Sequence, residues 1–170
     1  MSFNVAIDGP AGAGKSTVAK SVAALKNFIY VDTGAMYRAM ALKAMQEGID
    51  PNDKEQVLPL LECTEIYAKN IGGTQHTYLD GEDVSGLIRT PEISRGASDI
   101  SAIPDVRIKL AQIQRNIAHT SDVVMDGREI GSYVIPECEN KFYVTASVDE
   151  RARRRLLELK EKGRDNGMTV

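Results

Sequence analysis

The run Gly9-Pro10-Ala11-Gly12-Ala13-Gly14-Lys15-Ser16 fits the spacing G-x-x-x-x-G-K-[ST], and its flanks decide what it means. Before it, residues 3–7 form a short apolar, β-branched stretch; after it, Thr17 opens a helix-forming stretch through residue 25. A strand, a glycine-rich loop and a helix make a phosphate cradle. The glycines let successive backbone N–H groups point at one oxyanion, and the helix N-terminus adds the positive end of its dipole. Lys15 would reach the β and γ phosphates, and the Ser16 hydroxyl would ligate Mg²⁺. The plain alternative is a glycine turn before a helix; the strand before it and the Lys-Ser pair within it weigh against that. The pattern implies a nucleoside triphosphate site with residues 9–17 as its donor loop, and so an α/β framework.

The remaining strand signals agree. Apolar runs at 5–7, 28–31, 123–125 and 142–146 alternate with helical patterns, which predicts a parallel sheet covered by helices on both faces. The first three run into Asp8-Gly9, Asp32-Thr33-Gly34 and Asp126-Gly127. Ligands of such sheets sit at the carboxyl ends of the strands, so these three turns should gather at one crevice. Helices are expected at 15–25, 35–47, 54–61, 92–101, 105–119 and 149–162. In the fifth, Val106, Leu110, Ile113 and Ile117 form an apolar stripe, with Arg107, Ala111 and Gln114 beside it, so Arg107 can face a cleft. In the sixth, Val148, Ala152, Leu156 and Leu159 should be the core face, with Arg151, Arg153, Arg154 and Arg155 solvated or paired with Glu158 and Glu161. Between residues 63 and 90, two alternating stretches flank Asn70-Ile71-Gly72-Gly73, and Asp80-Gly81 supplies a second turn. This predicts a small antiparallel insertion, too short to hold a core alone.

The chain's 170 residues suit one domain, 1–170, with an insertion at about 60–100. A net charge of −3 disfavours a protein that tracks nucleic acid through its phosphates. No apolar run approaches a membrane span, and a strand begins too early for a secretion leader. Cys63 and Cys138 are widely separated, which suggests free thiols in a reducing cytoplasm and no zinc site. His76 and His119 lie among polar residues, as satisfied surface histidines do.

The donor loop alone fits a GTPase, a motor or a kinase. No N-K-x-D guanine-reading motif occurs, and motors generally need more chain. A small-molecule kinase remains, and Arg38, Arg107 and Arg128, each near a crevice turn, suit it. Guanidinium groups grip phosphate in a planar, two-pronged way, and phosphoryl transfer needs positioning plus positive charge. Each arginine has a plain alternative as a solvated residue.

Several segments together resemble the bacterial cytidylate kinase family: I-D-G-P-A-G-A-G-K-S-T at 7–17, Y-V-D-T-G-A-M-Y-R at 30–38, D-G-E-D-V-S at 80–85, I-R-T-P-E at 88–92, I-P-D-V-R at 103–107, V-M-D-G-R at 124–128 and A-S-V-D-E-R-A-R-R-R at 146–155. The resemblance covers essentially the whole chain. It implies a P-loop nucleoside monophosphate kinase fold, acting as a cytoplasmic monomer that transfers the ATP γ-phosphoryl group to CMP or dCMP with Mg²⁺. Carried over by residue, Thr33 would contact the acceptor's sugar, Arg38 and Arg128 its phosphate, and Ser98 and Arg107 its base. Lys15, Arg38 and Arg128 would be the catalytic cations. Asp126 would join Ser16 near the metal and its waters. The insertion would bind the acceptor.

Two departures stand out. The family pattern G-R-D-x-G appears here as Gly127-Arg128-Glu129-Ile130-Gly131, so Glu129 stands where the resemblance implies an aspartate that accepts a bond from the cytosine amine. Glu keeps the acceptor chemistry and rejects uracil, whose carbonyl would face it, but its extra methylene should weaken turnover. Family members also continue past residue 170 into a lid and a last strand and helix. A fragment that binds nucleotide with weak transfer, or a kinase for another acceptor such as UMP, are the alternatives.

Overall fold

The computed structural model describes residues 2–161, apart from the side chain of Leu159. Four parallel strands form the central sheet: β1 (Asn4–Asp8), β2 (Ile29–Asp32), β6 (Val123–Gly127) and β7 (Asn140–Tyr143), in the order β2-β6-β1-β7. Alternate side chains build two cores. Val5, Ile7, Tyr30 and Val124 face α1 (Lys15–Lys26) through Ala19 and Ala23. Ala6, Val31, Val123 and Met125 face the larger core, which also holds residues of α2 (Thr33–Gln46), α3 (Lys54–Cys63), α4 (Pro91–Ile100) and α5 (Pro104–Thr120). Helices on both faces explain why these strands carry unbroken apolar runs.

Helix starts follow local chemistry. The Asp32 carboxylate accepts the Ala35 N–H at the head of α2, Asp53 accepts from Glu55 and Gln56 at α3, and Thr90 accepts from Ile93 at α4, with Pro91 opening that helix. Helices α2 and α4 approach closely at Gly96, where a Cβ would stand 2.6 Å from Met45 Cε.

The insertion is a three-stranded antiparallel sheet, β3 (Ile66–Ile71), β4 (Thr74–Leu79) and β5 (Glu82–Asp83). Both of its turns are two-residue loops with positive φ, Gly72-Gly73 at 58° and 78° and Asp80-Gly81 at 49° and 88°. That backbone twist matches the twist of the paired strands.

Three expectations need correction. The strand expected at 142–146 lies at Asn140–Tyr143, on the sheet edge, with Phe142 and Tyr143 exposed rather than buried. In α6 (Val148–Glu161) Val148 and Ala152 are exposed, so the predicted core face does not form among the described residues. Of the arginines of α6, Arg155 binds Glu158 as expected, but Arg153 and Arg154 both turn upstream to Glu150. Spacings of three and four residues work in either direction along a helix, so Glu150 upstream competes as well as residues downstream. Residues 130–134 form a single π-helical turn that periodicity did not suggest. Lys162, the Leu159 side chain and residues 163–170 lie outside the described residues.

Candidate functional site

Strand register brings the three Asp-bearing segments together, although Asp32-Thr33-Gly34 is the end of β2 and the start of α2 and Asp126-Gly127 closes β6, rather than free turns. Asp32 lies opposite Asp126, Ile7 opposite Asp126, and Asp8 opposite Gly127, so the carboxyl ends of β1, β2 and β6 open into one cleft of about 720 Å³. The acceptor residues expected from sequence, Thr33, Arg38, Ser98, Arg107, Arg128 and Glu129, all line it, as do Lys15, Ser16 and Asp126.

On the donor side the loop is shaped by its glycines. Gly9 has φ 143°, and a Cβ there would stand 2.0 Å from the Val144 carbonyl oxygen, so no other residue fits without moving β7's continuation. Gly14, at φ 98°, precedes the first residue of α1, and no side chain caps that helix. Its leading N–H groups are therefore left for an anion. Ala11, Gly12, Lys15 and Ser16 form the cleft wall; Gly9, Pro10, Ala13, Gly14 and Thr17 shape the loop from outside the lining. The Lys15 ammonium donates to the Pro10 carbonyl at 2.8 Å, folding the side chain back over its own loop. Burial lowers its pKa, opposed by the nearby carboxylate of Asp126. Two arginines of α6 hold the loop's carbonyls: Arg151 donates to Ala11, and Arg154 to Gly12 and Ala13 at 3.4 and 3.2 Å. Arg154 and Arg155 both line the cleft.

At the cleft floor Asp126 is 4% exposed. Ser16 Oγ donates to its Oδ2 at 2.5 Å and the Tyr30 hydroxyl to its Oδ1 at 3.3 Å. Burial, then the Asp32 carboxylate, push the Asp126 pKa up to about 6, against the Ser16 hydroxyl and the Lys15 charge. One hydroxyl and one carboxylate, both hard oxygens, form a donor set that suits Mg²⁺, which keeps several waters and phosphate oxygens as further ligands. Thr33 Oγ1 donates to the Asp126 carbonyl at 2.8 Å, so its hydroxyl proton is used and its oxygen can still accept a bond.

The acceptor side is held by ion pairs. Arg38 and Arg89 both donate to Asp32 Oδ2, at 2.7 and 3.2 Å, and Arg38 Nε is buried without a partner. Arg107 pairs with Glu129 and lies over the Tyr133 ring at 5.7 Å. Arg128 makes no hydrogen bond or ion pair to any described residue. Ser98, on α4, completes this wall and donates to Ser94 within its own helix.

Sequence reasoning missed Arg89, the structural use of Asp32, and Gln114, which is 1% exposed with its amide nitrogen unpartnered. The stripe of Arg107 and Gln114 on α5 was the available signal for the last. Arg89 carried only its place in the I-R-T-P-E segment, because its partner lies 57 residues away.

The chain matches the family model described as "Cytidylate kinase" over residues 5–169. It is 52% identical to a cytidylate kinase of Caldicellulosiruptor saccharolyticus over 161 residues, covering 95% of this chain and 71% of that protein. It is 50% identical to a cytidylate kinase of Caldicellulosiruptor bescii, covering 96% and 72%, and 49% identical to one of Symbiobacterium thermophilum, covering 95% and 72%. With the donor loop, the buried aspartate and the arginine-lined wall in one cleft, the match over nearly the whole chain says that it belongs to the cytidylate kinase family.

Proposed function

We propose that this protein transfers the γ-phosphoryl group of ATP to CMP or dCMP, giving CDP or dCDP and ADP. The observation that carries the reading is a single cleft with a phosphate cradle on one wall and Arg38, Arg107, Arg128, Ser98 and Glu129 on the other. The ATP phosphates would lie in the loop of residues 9–17 against the free N–H groups of α1. Lys15 would leave the Pro10 carbonyl for the β and γ oxygens, an exchange of one hydrogen bond for a stronger charge-assisted one. Ser16 and Asp126 would hold Mg²⁺, which would supply positive charge to offset that of the triphosphate.

Arg38 and Arg128 would grip the CMP phosphate. Arg38 starts from Asp32, and Arg128 has no ion pair among the described residues, so acceptor binding would exchange the Asp32 pair for two phosphate contacts. Arg107, Ser98 and Glu129 would read the base: the Glu129 carboxylate can accept from cytosine N4 and cannot pair with the uracil carbonyl. The pair with Arg107 holds that carboxylate at the cleft wall. Thr33 would accept from a sugar hydroxyl. Positioning and positive charge supply most of the barrier lowering in such transfers, because the transition state spreads charge over the moving phosphoryl oxygens. A cytoplasmic monomer agrees with a nucleotide kinase; among the described residues no helix is long and apolar enough to cross a membrane.

The test is ADP release measured with CMP, dCMP, UMP and no acceptor, with Mg²⁺ present and then chelated. Release that needs CMP or dCMP, and is lost with EDTA, supports the reading. Release without any acceptor, or equal kcat/KM for UMP and CMP, overturns it.

A further inference from the structure

The π-helical turn at Ile130–Val134 begins with Glu129, whose side chain makes no capping bond to it. A helical start in that state leaves N–H groups without partners. Here two of them are taken by a residue from the other wall: the Asp8 carboxylate accepts the Ile130 N–H through Oδ1 at 2.7 Å and the Gly131 N–H through Oδ2 at 2.8 Å. Asp8 is the last residue of β1 and is followed directly by Gly9 of the donor loop.

We infer that Asp8 is a positioning residue for acceptor recognition, capping the turn in trans so that Glu129 is free to face the cleft. A glutamate at the head of a helical turn ordinarily competes for that turn's own N–H groups. With both oxygens of Asp8 already bound there, the Glu129 carboxylate goes to Arg107 instead. The same bonds fix the turn's height against β1, since Asp8 stands opposite Gly127 in the β1–β6 register and so spans residues 127 to 131. Arg128 and Glu129 lie inside that span. Both bonds are short, at 2.7 and 2.8 Å, and the backbone they hold sits beside a loop that must also hold its shape for ATP. One carboxylate thus sets the distance between the donor loop and the base-reading residues. Misplacing a substrate-reading group by about 1 Å is enough to cost a hundredfold in rate.

This inference rests on reading the cleft as a CMP site. The full chain, with Asp8→Asn, Asp8→Glu and Asp8→Ala, each alone and with Glu129→Gln, should be assayed for kcat/KM on CMP and UMP and for KM of ATP, with thermal unfolding alongside. Asparagine has one oxygen for two N–H groups, so Asp8→Asn should lower the CMP-over-UMP ratio by about tenfold or more while changing KM for ATP much less. The ratio should not fall further when Asp8→Asn is added to Glu129→Gln, because Asp8 acts through Glu129. An equal loss on both nucleotides, or an undiminished effect in the Glu129→Gln background, overturns the inference. Should every Asp8 variant fail to fold, hydrogen exchange on the wild type decides it: slow exchange at the Ile130 and Gly131 amides supports the clamp, and exchange as fast as at an open turn overturns it. A wild type that does not prefer CMP over UMP defeats the reading of the cleft and this inference with it. A wild type that prefers CMP, with the ratio unchanged in Asp8→Asn, defeats this inference alone.

Discussion

The donor and acceptor walls of the cleft are built by different means. The donor loop is a backbone device: positive φ at Gly9, Gly12 and Gly14, an uncapped helix start, and carbonyls braced by Arg151 and Arg154. Its binding groups are peptide N–H groups whose direction is set by the chain itself. The acceptor wall is a side-chain device, in which Asp32 holds Arg38 and Arg89, and Glu129 holds Arg107. Those cations are stored on protein carboxylates and would have to exchange partners when a nucleotide arrives. The contrast teaches that one wall is shaped by backbone geometry and the other by ion pairs between side chains, which on the proposed function would exchange with the acceptor.

The contrast can be broken most severely at the donor loop. Gly9→Ala would drive a Cβ to within 2.0 Å of the Val144 carbonyl oxygen. It should abolish ATP binding in a fluorescent-nucleotide titration and lower Tm, an effect of several kcal/mol by its class of steric conflict. Lys15→Met leaves the loop intact and removes its charge; kcat should fall by about a thousandfold with a smaller change in KM for CMP. A Lys15→Met enzyme with near-normal kcat would place the chemistry elsewhere.

On the acceptor wall, Arg128→Ala should raise KM for CMP by about tenfold to a hundredfold and leave KM for ATP nearly unchanged, since it would remove the proposed two-pronged phosphate contact. The same experiment on Arg38→Ala should show a smaller effect on binding. Asp32 is released at the same time and keeps only Arg89 from the pair. Equal effects of the two substitutions would mean that the stored ion pair costs nothing to break.

At the floor between the walls, Asp126 gives a pH signature. Its folded pKa is raised from the ordinary 3.8 to about 6, so between those values the native state binds more protons than the unfolded state. Stability from this group is therefore full below about pH 4 and is lost as pH rises through 6, by roughly 2–3 kcal/mol at 1.36 kcal/mol for each unit. Denaturant unfolding in EDTA across pH 4–7 should show that fall in the wild type and a flatter profile in Asp126→Asn. Parallel profiles would refute the assignment. The smallest effect belongs to Gln75, whose amide bonds both the N–H and the carbonyl of Asp32 at the sheet edge, at 2.5 and 3.2 Å. Gln75→Ala should lower stability by about 1 kcal/mol and raise KM for CMP only slightly.

The donor loop, the strands ending in Asp, the helix starts and the two hairpin turns were legible in the sequence. Each depends on residues within a few positions: glycines permit the φ values, Asp32, Asp53 and Thr90 cap the helices they precede, and apolar runs mark strands covered on both faces. The location of Arg38, Arg107 and Arg128 near the crevice was also legible, from their closeness to its turns. Their partners were not. Arg89 meets Asp32 across 57 residues, Glu129 meets Arg107 across 22, and Asp8 reaches Gly131 across 123. The exposure of Phe142 and Tyr143 was likewise invisible, because an apolar run has the same composition in a central strand and at an edge.

The sequence by itself therefore determined the glycine-shaped loop before α1, the parallel α/β framework and the cleft at the carboxyl ends of its strands, since φ preference, capping and hydrophobic period act over short stretches of chain. Only the tertiary structure decided which carboxylate holds which arginine, and that Asp8 rather than Glu129 caps the π-helical turn. Charge pairing and hydrogen bonding depend on distance in space, and that distance is set when the strands take their register and the helices close over them.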